Sequence, residues 1–224
     1  MEFVSFTSDP PRSPYAPTYD YTLGFSCNDN INFKKLSQLC LDKEKILLKI
    51  PPEFDKNGKC IDGYTGLGEN SATSRWFAYN VLSWNTSEIK NLKNYIKSQI
   101  LEYNEHFNYR VPSILYIQCW VNILRYGEEI KPHLHNVDSD CYLSANLTVK
   151  GNDTSTFYLN PINQIQDPQI MINENKPGNF AIFPSNIPHY TNVYQGNEER
   201  ISIGIDIMPY KKDNRPLLEM NMVI

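Results

Sequence analysis

The chain has no basic excess. Its 21 Lys and Arg stand against 25 Asp and Glu, a formal charge of −4, which disfavours nucleic-acid binding by bulk electrostatics. It has no run approaching the ~18 apolar residues of a helical membrane span. Residues 1–17 lack the basic-then-apolar pattern of a secretory signal. The five cysteines (Cys27, Cys40, Cys60, Cys119, Cys141) are odd in number and form no Cys-x-x-Cys pair, which excludes a zinc ribbon or a thioredoxin-type site. Scattered thiols without a signal predict a reducing compartment, the cytoplasm, or a host cytoplasm for a viral protein. The triplets at Asn85, Asn146 and Asn152 that match a glycosylation acceptor are chance matches in an Asn-rich chain. Histidine is scarce too: there are four, and three of them fall in two short stretches.

What is present suits a folded protein. The apolar fraction is 41% and the charged fraction 21%, enough for a core. No internal repeat is visible, and the 224 residues predict a single domain over 1–224. Residues 1–20, with four prolines, predict an extended arm or coil. Leu23–Phe33 is ambiguous between strand and coil. Phe33, Leu36 and Leu39 give a short helix over 33–41. The stretch 58–74 is a loop by composition, either a lid over a site or a packed Ω-loop. Trp76–Leu82 reads as a strand. Ile89, Leu92, Ile96, Ile100 and Tyr103 recur at helical spacing, with Asn85 or Thr86 as N-cap, and predict a helix over about 86–106. His106 falls at its C-terminal end, where a structural role suffices.

From Ser113 onward the texture changes. Seven short runs rich in β-branched and aromatic residues follow: 114–124, 142–149, 156–159, 169–173, 179–183, 190–194 and 200–207. Strands without interleaved helices predict an antiparallel sandwich or barrel, mainly β, braced by N-terminal helices, with its core over about 112–208.

The first histidine stretch is Pro132-His133-Leu134-His135. Two residues separated by one along an extended chain share a face. That pattern suits two metal ligands, and equally two polar residues facing solvent. The second stretch runs from Gly178 through an apolar strand to Phe183-Pro184, then Pro188-His189, and places a histidine at a strand end. A histidine in an apolar setting needs a partner, so the three predict a metal site at His133, His135 and His189.

Together with Arg200-x-Ser202, these motifs resemble the non-haem iron, 2-oxoglutarate-dependent oxygenases. The likeness spans about residues 112–208 and is nearest to a subgroup of bacteria and phages with a His-x-His first motif. Asp62-Gly63-Tyr64-Thr65-Gly66-Leu67-Gly68 and Thr73-Ser74-Arg75 add to it. The resemblance implies a double-stranded β-helix (jelly roll). It implies Fe(II), 2-oxoglutarate and O2 as cofactors, and hydroxylation of a protein side chain or small molecule with release of succinate and CO2. Arg200, with Ser202 two residues along, is implied to bind the far carboxylate of 2-oxoglutarate, since an arginine fork matches a carboxylate. Asn122, Tyr142, Asn146 and Thr148 lie on strands beside the motif and are further candidates for contact with it, or else ordinary strand polar residues. Trp120 is either core or substrate platform. The sequence departs from the family at His135, where a carboxylate is usual. Either three histidines bind the metal, or Asp138 or Asp140 substitutes.

Two other readings fit parts of the pattern. Gly127, His133-x-His135 and Asp140, then Gly178, Pro184 and His189, resemble the two cupin motifs. That reading keeps the barrel and the metal but gives Arg200 and Ser202 no task. A non-catalytic jelly-roll binding module is the third. Oligomeric state is not legible.

Overall fold

The computed structural model describes residues 1–7, 12–15, 20–135, 142–161, 169–211 and 215–223. Ten strands are formed among them: β1 (Glu2–Thr7), β2 (Asp20–Cys27), β3 (Ile114–Leu124), β4 (Leu143–Lys150), β5 (Ser155–Leu159), β6 (Ile170–Glu174), β7 (Asn179–Pro184), β8 (His189–Thr191), β9 (Arg200–Met208) and β10 (Leu218–Asn221). They make a seven-stranded sheet, β1-β2-β7-β4-β9-β3-β10, and a three-stranded sheet, β6-β5-β8. Every strand pairing is antiparallel. The mainly β jelly roll expected from the sequence is the fold.

The alternation in β9 explains how the large sheet is used. Ile201, Ile203, Ile205 and Ile207 are buried in one apolar cluster with the helices. Full burial of such a side chain contributes about 1.5–3 kcal/mol. Arg200, Ser202, Gly204 and Asp206 take the other face, because side chains alternate along a strand. The register then builds three layers across the sheet. Ser202 lies between Asn122 and Thr148, Gly204 between Trp120 and Asn146, and Asp206 between Gln118 and Ser144. This polar stripe faces the small sheet. Beside it, Phe6, Leu23, Tyr158, Ala181, Phe183 and Ile187 form a compact apolar plug. Gly204 is required where it stands: a Cβ there would lie 2.6 Å from the Trp120 ring.

Two helices cover the outer face. α1 (Phe33–Leu47) starts at Asn32, whose side chain accepts from the Lys35 amide at 3.1 Å. It runs past the expected end at 41 because its buried stripe continues through Cys40, Glu44 and Leu47. Glu44 hides that stripe from a hydrophobicity pattern, and its carboxylate takes a two-pronged bond from Arg125 at 3.0 and 2.7 Å. α2 (Ser87–His106) follows the predicted stripe, capped by Thr86.

Three expectations fail. Residues 2–7 are a strand, not a coil arm. Phe6 is fully buried and the prolines begin only after the strand ends. Trp76–Leu82 is no strand but two 3-10 turns, Thr73–Ala78 and Val81–Ser83. Asn80 caps the second turn through Leu82 N at 3.0 Å and donates to the Ile117 and Pro216 carbonyls, both at 2.8 Å. β10, unexpected from the sequence, extends the sheet beyond β3. His106 stacks on Phe3, ring centroids 3.6 Å apart, a structural role. Among the described residues, no helix is long and apolar enough to cross a membrane.

Candidate metal and dicarboxylate site

The chain reaches the site along two backbone segments that run against each other. β7 ends at Pro184, a tight turn follows (Ile187 N to Pro184 O, 3.0 Å), and β8 begins at His189. Opposite, the His133 amide donates to the His189 carbonyl at 3.1 Å, and the His189 amide returns the bond at 2.9 Å. Directly opposed residues of an antiparallel pair share a face, so both rings project to the same side. His135 N donates to Ser185 O at 3.1 Å, which fixes the third ring beside them. One ligand atom from each of the three lies within 4.8 Å of the others.

The far side of each ring fixes its tautomer. His133 Nδ1–H donates to the Lys131 carbonyl at 2.9 Å and His189 Nδ1–H to the Ile187 carbonyl at 3.1 Å. His135 Nδ1 lies 2.5 Å from Asp206 Oδ1. All three Nδ1 atoms are occupied, which leaves the Nε2 lone pairs as the available ligands. Burial, then the His135 ring, pushes the His133 imidazole down to about 4. Burial, with His133 and His135 adding to it, holds His189 well below the ordinary range. His133 and His189 are therefore neutral at pH 7, the state a metal ligand needs. Burial opposes ionisation of Asp206, yet the His135 ring and Arg215 outweigh it and hold its carboxyl below its usual value. Asp138 and Asp140, the alternative third ligands, lie outside the described residues.

Below the histidines a narrow cleft of about 30 Å³ is lined by Asn122, Asn146, Arg200 and Ser202, with Thr156 and Thr191 from the small sheet. Arg200 is buried, and among the described residues its Nε and Nη1 have no hydrogen-bond partner. Burial pushes the guanidinium down to about 10. Thr73 Oγ1 donates to Asn122 Oδ1 at 2.8 Å, and Asn146 Nδ2 donates to the Tyr158 hydroxyl at 2.6 Å. Tyr142 is not brought to the site: its hydroxyl donates to Asn104 Oδ1 of α2 at 3.2 Å, because it precedes β4 and turns to the helical side. Thr148 donates to Asn175 Oδ1 at 3.4 Å, away from the histidines.

Above the histidines lies a larger chamber of about 320 Å³, walled by Trp76, Trp120, Tyr64, Leu134, Asp62 and Arg215. Trp120 thus serves both core and wall. The 58–74 loop forms one side of it. Asp62 Oδ2 accepts from the Gly68 amide at 2.9 Å. Arg75 is buried and donates to the Ile50, Glu69 and Ser71 carbonyls, so it fastens the loop and is not a substrate contact. The loop is tied to the metal site through Lys131, whose amide donates to Thr65 O at 2.8 Å and whose carbonyl holds His133. Among the described residues, the buried indole N–H of Trp76 has no acceptor. Sequence reasoning missed Asp206 and Trp76, and it gave Thr73 a place in the family likeness but no role. Asp206 had a signal, a lone carboxylate in an apolar strand on the face of Arg200 and Ser202.

Residues 118–206 match the family model described as "Putative 2OG-Fe(II) oxygenase", so the expected likeness to that family is found. Members of the family use Fe(II), 2-oxoglutarate and O2. No curated protein matches the sequence. Among solved structures, a prolyl-4-hydroxylase of Pseudomonas putida is 15% identical, with a TM-score of 0.50, over 84% of this chain and 94% of its own. A prolyl hydroxylase of Trichoplax adhaerens, in complex with a hypoxia inducible factor peptide fragment, is 14% identical at a TM-score of 0.54, over 83% of this chain and 84% of its own. The non-haem alpha ketoglutarate dependent carbocyclase SnoK from nogalamycin biosynthesis is 10% identical, also at 0.54, over 83% and 79%. At these identities the structural likeness is one of fold.

Proposed function

We propose that this chain, whose residues 118–206 match the 2OG-Fe(II) oxygenase family, is an Fe(II)- and 2-oxoglutarate-dependent dioxygenase that hydroxylates its substrate and releases succinate and CO2. The observation that carries the reading is Arg200. A buried guanidinium with two unpaired donor atoms is costly, and it sits at the foot of three converging imidazoles. A dicarboxylate that ligates a metal at one end and pairs with Arg200 at the other satisfies both.

The residues present fit the cofactors. His133, His135 and His189 would hold Fe(II) through Nε2. Bound iron supplies the activation of O2 that is coupled to oxidative decarboxylation of 2-oxoglutarate. Arg200 offers Nε and Nη1 to the far carboxylate, and Ser202 Oγ, one layer along β9, adds a third donor. Asn122, oriented by Thr73, and Asn146, held by Tyr158, flank the cleft and keep the diacid in line with the histidines. The cleft is narrow, so a five-carbon diacid enters only if side chains at its mouth give way. The large chamber then takes the substrate above His133 and His135. Its aromatic walls exclude water, and the unpaired Trp76 N–H favours a substrate with an acceptor oxygen, either a protein side chain in its backbone context or a small metabolite. The absence of a basic excess argues against nucleic acid.

The test is direct. Anaerobic protein is mixed with Fe(II), then with 2-oxoglutarate, then with O2, and succinate is measured. Succinate formation that needs all three supports the reading. Metal binding without any effect of 2-oxoglutarate would support a cupin-type metalloprotein, and no metal binding a non-catalytic module.

A further inference from the structure

The three histidines are not held alike. His133 and His189 give their Nδ1–H to main-chain carbonyls, which are neutral acceptors. Among the described residues, His135 is the one of the three that faces a carboxylate, with Asp206 Oδ1 at 2.5 Å. The carboxylate is itself positioned: Ser144 Oγ donates to the same oxygen at 3.2 Å. It comes from the middle of β9, where the register sets Asp206 between Ser144 and Gln118. Its side chain keeps only 20% of its exposure, at the wall of the chamber, and a carboxylate so far withdrawn from water needs such partners.

Ferrous oxygenases commonly bind the metal with two histidines and one carboxylate. Such a set brings one negative charge to the metal, whereas three neutral imidazoles bring none. We propose that Asp206 is a positioning residue that supplies this charge at one remove, through a charge-assisted hydrogen bond to His135 Nδ1–H. The inference rests on the iron reading above. The bond fixes the His135 tautomer and ring plane and raises the electron density at Nε2, as carboxylates behind metal-bound imidazoles do. With Asp206 ionised, three imidazoles and one carboxylate carry the same total charge as two imidazoles and a bound carboxylate, while all three inner ligands remain nitrogen. Arg215 lines the same chamber wall as Asp206, and it lies over the Trp76 ring at 5.1 Å.

The test uses Asp206→Asn, which keeps the shape and an acceptor oxygen but removes the charge. Fe(II) and Co(II) are titrated anaerobically into both proteins, and the visible band that 2-oxoglutarate induces in the Fe(II) protein is recorded. Metal binding is expected to weaken about 10–100-fold, the range for partners behind a ligand, with a displaced band. The same substitution is then made in a His135→Asp chain. There it should cost less than about twofold, because the ring it serves is gone. A purely structural role would weaken both backgrounds alike and overturn the inference, as would unchanged binding in Asp206→Asn. A second measurement needs no variant to fold. In Zn(II)-loaded wild-type protein, the His135 Nδ1 proton should resonate well downfield of those of His133 and His189, and three similar positions would overturn the inference. Failure of the wild type to take up any metal overturns the iron reading and this inference with it. Normal wild-type loading with an indifferent Asp206→Asn overturns this inference alone.

Discussion

His133 and His189 are hydrogen-bonded to each other twice through their main chains, at 3.1 and 2.9 Å, and their ring centroids lie 4.4 Å apart. Fifty-six positions of sequence therefore separate two side chains that share one face of one antiparallel bridge. The rings are brought together by backbone pairing, which forms with the fold, so the site is built before any metal arrives.

That preorganisation has a measurable consequence. Metal that binds only the folded state raises its stability by mass action, about 2.7 kcal/mol at a hundredfold excess over Kd, or roughly 5–10 °C in melting temperature for a chain of this size. Wild-type protein should show such a rise with Fe(II) or Co(II), reversed by a chelator. His133→Ala and His189→Ala should each abolish it, while their metal-free melting temperatures stay within a few degrees of wild type, since the bridge that joins them is made by backbone. Retained uptake in either variant would remove that histidine from the ligand set.

Arg200 tests the other end of the site. It is a buried charge with two unpaired donors, so the metal-free protein carries it at a loss. Arg200→Met, similar in reach and apolar, should stabilise the metal-free fold by about 1–4 kcal/mol, as replacement of buried charges does elsewhere. The same change should weaken 2-oxoglutarate binding by at least a hundredfold and leave metal affinity within about threefold. Thermal melting, metal titration and 2-oxoglutarate titration separate these outcomes. A variant that loses metal and 2-oxoglutarate equally would assign Arg200 to the fold.

The placement of Arg200 beside the histidines was legible because two kinds of information agree there. The family resemblance points to Arg200 and Ser202, and strand parity puts both on one face of β9; parity likewise pairs His133 with His135. Asp206 obeys the same parity but was missed, since its partner His135 lies 71 residues away and nothing local marks a long-range bond. Tyr142 failed for the opposite reason. The expected strand begins at Tyr142, one residue before β4 does, and there the chain turns its side chain to α2. The helix α1 was underestimated because Glu44 breaks its apolar stripe, and the answering Arg125 is 81 residues on.

Tyr142 gives a prediction that goes against the sequence reading. Tyr142→Phe removes a single hydrogen bond to Asn104 on the helical side. It should cost about 1 kcal/mol of stability and leave metal and 2-oxoglutarate affinities unchanged. A tenfold loss of 2-oxoglutarate affinity would return Tyr142 to the cleft.

Gly204 is a test of close packing. A Cβ there would lie 2.6, 2.7 and 2.9 Å from three atoms of the Trp120 indole. The ring has to move, and it walls both the cleft and the chamber. Gly204→Ala should cost about 1–3 kcal/mol, as overpacking does, and weaken 2-oxoglutarate binding more than metal binding. Restoring space with the pair Gly204→Ala and Trp120→Phe should recover part of the stability, which a melting series on the four proteins would read. Additive losses in the pair would show that the clash lies elsewhere.

The pH dependence of the metal-free protein follows from the histidines. In the folded chain His133 is pushed from 6.5 down to about 4, first by burial and then by the His135 ring, and burial lowers His189 further. The unfolded chain, with ordinary histidines, therefore binds more protons between about pH 4 and 6.5, and stability must rise with pH across that window. The contribution is fully present above pH 6.5 and is lost as pH falls toward the folded value. Melting temperature should be nearly flat from pH 7 to 8 and drop steeply from 6.5 toward 4.5. His133→Gln, which cannot be protonated, should make that drop shallower without altering the plateau slope. Saturating metal should move the drop to lower pH, because protons and metal compete for the same Nε2 lone pairs. A wild-type profile that is flat through the whole window would mean that these rings are not held neutral by the fold.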